Sequence, residues 1–312
     1  MTIQLHETAN VLDSTKIQAY MDCRRKFFYE YVLGWRPEDP NVHLIFGSAW
    51  HVAMEALLLA DYSLDSIAMA YVGAEAKYRE SFPNEIADAA NIPKTPGYIK
   101  MALPRYTNQY AEADRGIEVI YTEIAGTVPI AKNKVIYFKT DDILRSPDRG
   151  YWSLEHKTGS QNSGPWRDGF SLKFQTFTYH HVLYCLYKEE EVWGVEINGA
   201  VFTKGKGVEF IRIPVRKTLP MLAAWLHLAE YQYDSIMNDY DLLLKQKEDD
   251  EAMKCFWQNT EACSSYSGCM YKDFCVSWPN PLQRIHELPV GFKVEFWDPR
   301  KMLEETKNVM NF

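Results

Sequence analysis

The sequence of 312 residues lacks the motifs that mark several large enzyme classes. It contains no G-x-x-x-x-G-K-S/T pattern, which excludes a nucleotide-binding P-loop and therefore a helicase motor within the chain. The KGKG stretch at 204–207 is too short for that loop and has no hydroxyl residue after it. There is also no G-x-S-x-G turn, which argues against the nucleophile of an α/β-hydrolase.

The chain has little excess of positive charge and no long hydrophobic run. Its 34 basic and 42 acidic side chains give a formal net charge of −8, which excludes a protein that holds nucleic acid by bulk charge. Residues 1–13 have neither a basic n-region nor an apolar h-region. We therefore expect no export signal, no membrane span and a cytoplasmic location. A hydrophobic fraction of 46% predicts a folded globule.

Cysteine is scarce, with six residues that are unevenly spaced. Four of them, Cys255, Cys263, Cys269 and Cys275, lie close together near the C-terminus, and Cys23 lies near the start. Disulfides are rare inside cells, so this grouping indicates a metal or cluster site instead. Cys185 lies in an apolar run, for which we predict a buried, unligated thiol.

Hydrophobic periodicity predicts helices at both ends of the chain and a sheet between them. The predicted helices are 13–34, 47–61, 63–80, 98–115, 171–188 and 219–247. The predicted strands are 117–125, 134–144, 151–157, 192–203 and 208–213. The stretches 81–97 and 255–281 read as a loop and a cysteine-rich tail. This order indicates an α/β or α+β core with helical additions.

Two carboxylates and a lysine lie on neighbouring predicted strands. Asp141 ends one strand, and Glu155 and Lys157 lie on the next. Because side chains alternate along a strand, Glu155 and Lys157 share a face that His156 does not. Such carboxylates bind Mg²⁺ or Mn²⁺, and a nearby lysine stabilises charge on a phosphate. Taken alone, an E-x-K strand is more often a solvated charge pair.

Two helical pairs at i and i+4 add polar groups to this set. His51 could give a metal a nitrogen ligand, with Glu55 orienting it, or the two could form an ordinary surface pair. Gln175 and Tyr179 could bind a phosphate backbone or the metal ligands, or they could be polar residues of a buried helix.

Candidate contacts to DNA lie in two places. The loop 159–169 follows Lys157 and contains Trp166, which could stack on a base, and Arg167; the aromatic could equally fold onto the protein. Arg24 and Arg25 follow Cys23 and could contact phosphates or form a solvated helix face.

In this order the motifs resemble the PD-(D/E)XK nuclease superfamily, and specifically its RecB-like branch, over residues 12–280. The resemblance rests on the whole set, since no single motif is specific. The set is Gly47-x3-His51-x3-Glu55, Glu123, Asp141, Glu155-x-Lys157 and Gln175-x3-Tyr179.

The resemblance implies a restriction-endonuclease-like α/β fold, a central mixed sheet flanked by helices. It implies that His51, Asp141, Glu155 and the backbone carbonyl of His156 bind Mg²⁺ or Mn²⁺. Lys157 would then be the catalytic lysine, with Gln175 and Tyr179 as auxiliary residues. The family usually has glycine three residues before the aspartate, where this chain has Phe138. Asp142 is the adjacent candidate, but Asp141 leaves Ile143 on the expected apolar position.

The opening segment resembles RecB-like nucleases that hold an iron–sulfur cluster, including the AddB nuclease domain and CRISPR-associated RecB-like exonucleases. It implies a 4Fe-4S cluster on Cys23, Cys263, Cys269 and Cys275. The spacing C-x5-C-x5-C departs from the family's C-x2-C start, so Cys255 could replace one ligand. Structural Zn²⁺ is the chemical alternative.

We therefore expect one nuclease domain over 1–312. Its parts are an N-terminal cluster-linked helix (1–46), a helical region with the metal histidine (47–116), the catalytic sheet (117–215), a long helix (216–250) and the iron–sulfur region (251–312). The predicted activity is metal-dependent hydrolysis of DNA, as an exonuclease on single strands or duplex ends, with a helicase, recombination or CRISPR partner. The alternative is a non-catalytic DNA-binding adaptor or inhibitor in CRISPR adaptation. The oligomeric state is not predicted.

Overall fold

The computed structural model describes residues 3–60, 62–264, 268–304, 306 and 308–312. The chain forms two compact units, each built from separate stretches of sequence. Unit 1 comprises Met1–Asp39, Ala125–Phe138 and Thr218–Phe312. Unit 2 comprises Pro40–Ile124 and Lys139–Lys217.

The helices are α1 Ser14–Asp22, α2 Arg24–Phe27, α3 Val42–Leu59, α4 Leu64–Arg79, α5 Asp88–Asn91, α6 Pro96–Tyr110, α7 Gly164–Gly169, α8 Phe174–Leu186, α9 Leu219–Lys245, α10 Lys272–Ser277 and α11 Lys301–Glu304. The strands are β1 Trp35–Pro37, β2 Glu118–Ala131, β3 Lys134–Ser146, β4 Gly150–Gly159, β5 Val192–Thr203, β6 Gly207–Val215, β7 Phe292–Val294 and β8 Asn308–Asn311.

A six-stranded sheet has the strand order β6-β5-β4-β3-β2-β8. β4 and β5 are parallel, whereas β3 with β4 and β5 with β6 are antiparallel. A parallel pair needs a long crossover, which α7 and α8 supply between β4 and β5. The sheet is therefore mixed and flanked by helices, which confirms the predicted fold class.

The two faces of β5 in unit 2 pack against different helices because side chains alternate along a strand. Ala200 and Phe202 belong to a core cluster with α3, α4 and α6. Val195 and Ile197 pack with Tyr179 of α8. In the register between β4 and β5, Glu155 lies opposite Ile197 and His156 opposite Asn198. The sheet thus carries Glu155 towards the α8 side and His156 towards the side of α3 and α6.

Helix α3 begins five residues before the predicted start at Gly47. Asn41 provides the reason: its side-chain oxygen accepts from the backbone N–H of His43 at 2.9 Å, which satisfies an otherwise unpaired donor. The helix buries Phe46, Ala49, Trp50, Ala53, Met54 and Leu57.

By length and composition alone, α3 could cross a membrane: its 18 residues have a mean hydropathy of 1.5. It is the one helix among the described residues that meets this condition. One third of this window is buried inside the protein, including the face of α3 that packs in the core cluster of unit 2.

In unit 1 the predicted helix 13–34 is broken at Cys23. Asp13 caps α1 by accepting from the Lys16 N–H at 2.7 Å, as its position predicts. Cys23 is extended, with φ −162° and ψ 111°, so the chain turns before α2 begins. A π-helical turn, Phe28–Val32, follows. The break places Cys23 between two short helices instead of within one long helix.

Candidate active site and cysteine cluster

His51 and Asp141 form the centre of the candidate site in unit 2. The Nδ1 atom of His51 lies 3.1 Å from Oδ1 of Asp141. The other oxygen of Asp141 accepts a hydrogen bond from the backbone N–H of His156 at 2.7 Å. His156 lies on the neighbouring strand β4, where Leu154 pairs with Asp142. A buried strand N–H and a histidine therefore fix the orientation of this carboxylate.

The electrostatics of this pair favour its charged form. Burial alone would lower the pKa of His51, but the charge and hydrogen bond of Asp141 outweigh it and raise the pKa to about 9. Burial acts in the opposite sense on Asp141, yet His51, followed by His156 and Lys157, holds the Asp141 pKa below its usual range. A metal ion bound by His51 must displace the imidazole proton, since only the neutral ring is a ligand.

Glu123 completes a group of three possible metal ligands. Ligand atoms of His51, Glu123 and Asp141 all lie within 4.8 Å of one another. Glu123 has a φ of +47°, a conformation that residues other than glycine rarely adopt and that often marks functional sites. Its carboxylate also contacts Lys139, with 2.5 Å between Oε2 and Nζ. The sequence motifs include Glu123 but assign it no ligand role. Nothing in the sequence pattern pointed to Lys139.

Glu155 and Lys157 contact each other on β4. The Glu155 side chain is 3% exposed, and its Oε2 atom is buried without a hydrogen-bond partner among the described residues. Burial first, and then the charge of Asp141, raise the Glu155 pKa to about 7 against the opposing charge of Lys157. Burial would lower the pKa of Lys157, but Glu155 and Asp141 outweigh it and raise it. An unpaired buried carboxylate oxygen suits a cation.

Asp142 lies in a different environment from Asp141. Its Oδ2 is 3.0 Å from Nε2 of His156, and Asn198 contacts the other ring nitrogen at 2.9 Å. Asn198 also donates to the hydroxyl of Tyr106 at 2.7 Å. Burial and the charge of Asp141 raise the Asp142 pKa well above its ordinary value. The geometry therefore groups Asp141, rather than Asp142, with His51 and Glu123.

Tyr179, Gln175 and Glu55, the other predicted site residues, make hydrogen bonds to residues of strands β2 and β3 or of helix α8. The Tyr179 hydroxyl is buried and donates to the carbonyl of Lys139 at 2.6 Å, and Gln175 donates to the same hydroxyl at 2.7 Å. They thus support β3 two residues before Asp141. Glu55 accepts from Thr122 at 3.1 Å, and no hydrogen bond from Glu55 to His51 occurs in the described part of the chain.

The loop after β4 folds back on the sheet. A Cβ at Gly199 would lie 2.7 Å from the ring of Trp166, so this glycine allows the indole to lie directly on β5. Trp166 is also edge-on to Phe170, with 5.0 Å between ring centroids. Of the two interpretations of Trp166, the structure favours the ring packed on the protein. Arg167 is exposed.

A buried lysine that the sequence did not single out holds the end of β4. The Lys94 ammonium donates to the Gly159 carbonyl at 2.7 Å and lies 5.0 Å from the ring of Phe46. Burial lowers the pKa of Lys94 to about 8. Lys94 thereby fixes the point where β4 ends and the following loop begins.

Four cysteines act on one another electrostatically in unit 1. The Cys275 thiol has its pKa raised to about 11 by burial and then by Cys23, Cys269 and Cys263, against the charge of Arg25. The backbone N–H of Asn259 points at the Cys23 sulfur at 3.4 Å. The groups that act on Cys255, which is fully buried, are Asp239 and Arg25 instead of the other cysteines. Cys255 is thus set apart electrostatically from Cys23, Cys263, Cys269 and Cys275.

Three sequence predictions about single residues need correction or refinement. Arg25 is 3% exposed and cannot contact DNA, because a buried guanidinium does not reach a phosphate in solvent. Arg24, the other arginine predicted to contact phosphates, has contacts within the protein: its Nη1 atom lies 3.6 Å from Oδ2 of Asp239, and its guanidinium lies 4.8 Å from the ring of Tyr20. Cys185 is exposed, because it lies on the outer side of α8.

The mixed sheet flanked by helices is consistent with a restriction-endonuclease-like fold, and its neighbouring strands β3 and β4 carry Asp141, Glu155 and Lys157. The sequence pattern of the PD-(D/E)XK nuclease superfamily matches residues 14–276. The chain belongs to this superfamily, whose members use divalent metals.

Structural comparison finds weaker likenesses. A protein from Eubacterium rectale described as “Putative exonuclease” is 13% identical, with a TM-score of 0.47 over 78% of this chain and 87% of that chain. The protein SSO0001 is 14% identical, with a TM-score of 0.30 over 73% of this chain and 77% of that chain. No curated protein matches the sequence. The family assignment rests on the superfamily match alone.

Proposed function

We propose that this protein is a deoxyribonuclease that depends on Mg²⁺ or Mn²⁺ and degrades single strands or duplex ends as an exonuclease. The observation that carries the proposal is the meeting of His51, Glu123 and Asp141 within 4.8 Å. Glu155 and Lys157 contact each other on the adjacent strand. A nitrogen ligand, several carboxylates and a lysine are the groups that phosphodiester hydrolysis requires.

The residues present fit a divalent ion. Glu155 has a buried carboxylate oxygen with no partner among the described residues, and burying such a group is costly unless a cation satisfies it. We assign His51, Asp141, Glu155 and the His156 carbonyl as its ligands, and add Glu123. The bound ion would polarise the phosphate and lower the pKa of a water molecule.

The remaining steps belong to the side chains. Lys157 is held beside Glu155, so its ammonium stands where negative charge develops on the phosphate oxygens. The hydrogen bond of Tyr179 to the Lys139 carbonyl keeps β3, and with it Asp141, in place. Arg167 on the exposed loop and Arg24 are the groups we assign to phosphate contacts, and Trp166 shapes the loop beside them.

The exonuclease mode, the RecB-like branch and the partners extend the proposal beyond the family. They are supported by the motif order and by the cysteines that accompany it. We propose that a helicase, recombination or CRISPR component supplies unwound DNA to this domain, within which no P-loop motif occurs. We also propose a cytoplasmic location and a single functional nuclease domain over the whole chain.

We further propose a 4Fe-4S cluster on Cys23, Cys263, Cys269 and Cys275. Their mutual electrostatic influence and the Asn259 N–H aimed at Cys23 support this ligand set. Anaerobically purified protein should contain iron and sulfide and show a broad visible absorption. A colourless protein that contains zinc would instead support the zinc alternative.

The activity is tested with oligonucleotides labelled at the 5′ or 3′ end, as single strands and as duplexes, in Mg²⁺ or Mn²⁺. We expect stepwise products from one end, and a loss of about 100-fold or more in Lys157→Ala, which removes a charge that stabilises the transition state. The control is Lys206→Ala, on an exposed turn. Undiminished cutting by Lys157→Ala contradicts the assignment, and tight binding without turnover in any metal supports the adaptor alternative.

A further inference from the structure

Arg25 in unit 1 is a buried cation that has no acidic partner in the described part of the chain. Its Nε atom donates to the Phe256 carbonyl at 3.0 Å, and its backbone N–H donates to the Trp257 carbonyl at 3.2 Å. Its Nη1 atom has no hydrogen-bond partner, and no ion pair to Arg25 occurs among the described residues. Burying a guanidinium in this way is unfavourable unless an anion lies beside it.

The same short segment binds Arg25 and the first cysteine. Phe256 and Trp257 accept the two hydrogen bonds from Arg25, and Asn259 directs its backbone N–H at the sulfur of Cys23 at 3.4 Å. The Asn259 side chain also donates to the Asp22 carbonyl at 2.8 Å. The guanidinium is therefore fixed next to the cysteine group.

Tyr29 is a second buried donor beside this group. Its side chain is fully buried, and its hydroxyl makes no hydrogen bond of ordinary geometry, although it lies close to the Arg25 guanidinium and the Cys275 sulfur. The ring stacks on Tyr271 at 5.3 Å and meets Phe274 edge-on at 5.7 Å. Cys275 follows Phe274 on α10, and its backbone N–H bonds the Tyr271 carbonyl at 3.2 Å. Electrostatic interactions link the Cys275 thiol to Tyr29 and to Arg25.

We propose that Arg25 is the internal counter-ion of the thiolate-bound cluster, and that Arg25 and Tyr29 donate hydrogen bonds to the sulfur of Cys275. This inference rests on the proposed cluster. Four thiolates give the cluster a net negative charge, and reduction adds one more negative charge. A buried positive charge and donors to a sulfur stabilise the reduced form more than the oxidised form, so they raise the reduction potential.

Replacing Arg25 should have opposite effects on the stability of the cluster-bound protein and of the protein without the cluster. With the cluster bound, Arg25→Met removes a favourable ion pair. In protein stripped of the cluster, the same change removes an uncompensated buried cation. Arg25→Met should therefore lower the melting temperature of the loaded protein and raise that of the stripped protein. Tyr29→Phe keeps the ring contacts and removes only the hydroxyl.

The experiment compares wild type, Arg25→Met, Tyr29→Phe and the control Arg24→Met, all purified anaerobically as full chains. Arg24→Met makes the same charge change one residue away, at a side chain that is 34% exposed. The measurements are iron content, the reduction potential by spectroelectrochemical titration, the rate of iron loss to a chelator, and melting temperatures with and without the cluster. For Arg25→Met we expect a more negative potential and about 10-fold faster iron loss, as for other residues that support a metal site.

Each outcome separates the inference from the proposed function. An intact iron cluster with an unchanged potential in both Arg25→Met and Tyr29→Phe overturns the inference and leaves the cluster standing. If Arg25→Met does not fold, the potential of Tyr29→Phe and the iron retention of Arg25→Lys decide the question. Protein that holds neither iron nor zinc overturns both the cluster and the inference. In a zinc protein, faster zinc loss from Arg25→Met than from Arg24→Met supports the counter-ion.

Discussion

The imidazole of His51 is tied to the carboxylate of Asp141 by a 3.1 Å contact between Nδ1 and Oδ1. This contact links helix α3 to strand β3, two elements that are 90 residues apart in the sequence (141 − 51). Because Asp141 raises the pKa of His51 to about 9, a proton would compete with the proposed metal ion for one nitrogen atom. In the proposed site, metal binding at this pair would therefore depend on how α3 and β3 are positioned.

Replacement of His51 by alanine should weaken Mn²⁺ binding by about 10- to 100-fold, because one ligand of the site is lost. Isothermal titration calorimetry measures the affinity directly and does not depend on turnover. His43→Ala is the matched control, since it lies on the same helix but is exposed. Equal Mn²⁺ affinity in the two variants would remove His51 from the ligand set.

Glu123 offers a test that separates metal binding from backbone strain. Glu123→Ala and Glu123→Gly both remove the carboxylate, so both should lose Mn²⁺ affinity to the same extent. Only glycine adopts a φ of +47° without strain, so Glu123→Gly should be more stable than Glu123→Ala by about 1 kcal/mol. Urea unfolding measures this difference. Equal stability of the two variants would show that the backbone at this position is relaxed.

Much of the sheet can be predicted from the sequence because its strands are long and rich in β-branched and aromatic residues. Strand β5, Val192–Thr203, has the predicted bounds at both ends. The break at Cys23 cannot be predicted in this way, since neither glycine nor proline marks it and the extended backbone there depends on contacts with the segment around Phe256. Local pattern indicates which element forms, while distant contacts decide where it is interrupted.

In the candidate site, too, local sequence patterns predict some contacts, whereas others depend on distant parts of the chain. Glu155 and Lys157 are predictable as neighbours because alternation along one strand puts them on one face. The pairing of Glu123 with Lys139 depends on the register of two strands and on a left-handed backbone conformation, which no spacing rule contains. Lysine and arginine are usually exposed, so burial of Lys94 and Arg25 could not be inferred from composition.

We propose that Tyr179 is a positioning residue for this site. Tyr179→Phe would remove the 2.6 Å hydrogen bond to the partly buried Lys139 carbonyl, which should cost about 1 kcal/mol of stability. Because Asp141 lies two residues further along β3, we expect Mn²⁺ affinity to fall as well, which a merely structural role would not cause. Tyr184→Phe on the same helix is the control. A stability loss without any change in Mn²⁺ affinity would separate Tyr179 from the site.

Lys94 makes the stability of the protein depend on pH in a defined window. Its pKa is lowered by burial from 10.5 to about 8, so between these values the unfolded chain binds more protons than the folded chain. By linkage, stability then rises with pH across this window, and the gain is lost as pH falls towards 8. Lys94→Met has no such group and should lack the dependence.

The measurement is the free energy of unfolding of both proteins at pH 7, 8, 9 and 10. The difference between wild type and Lys94→Met should shift in favour of wild type by up to about 3 kcal/mol from pH 7 to pH 10, since each unit of pKa shift corresponds to 1.36 kcal/mol. Other titrating groups act on both proteins and cancel in the difference. A difference that stays constant with pH would mean that Lys94 keeps its ordinary pKa. Its hydrogen bond to the Gly159 carbonyl would then hold the end of β4 with a solvated ammonium instead of a buried one.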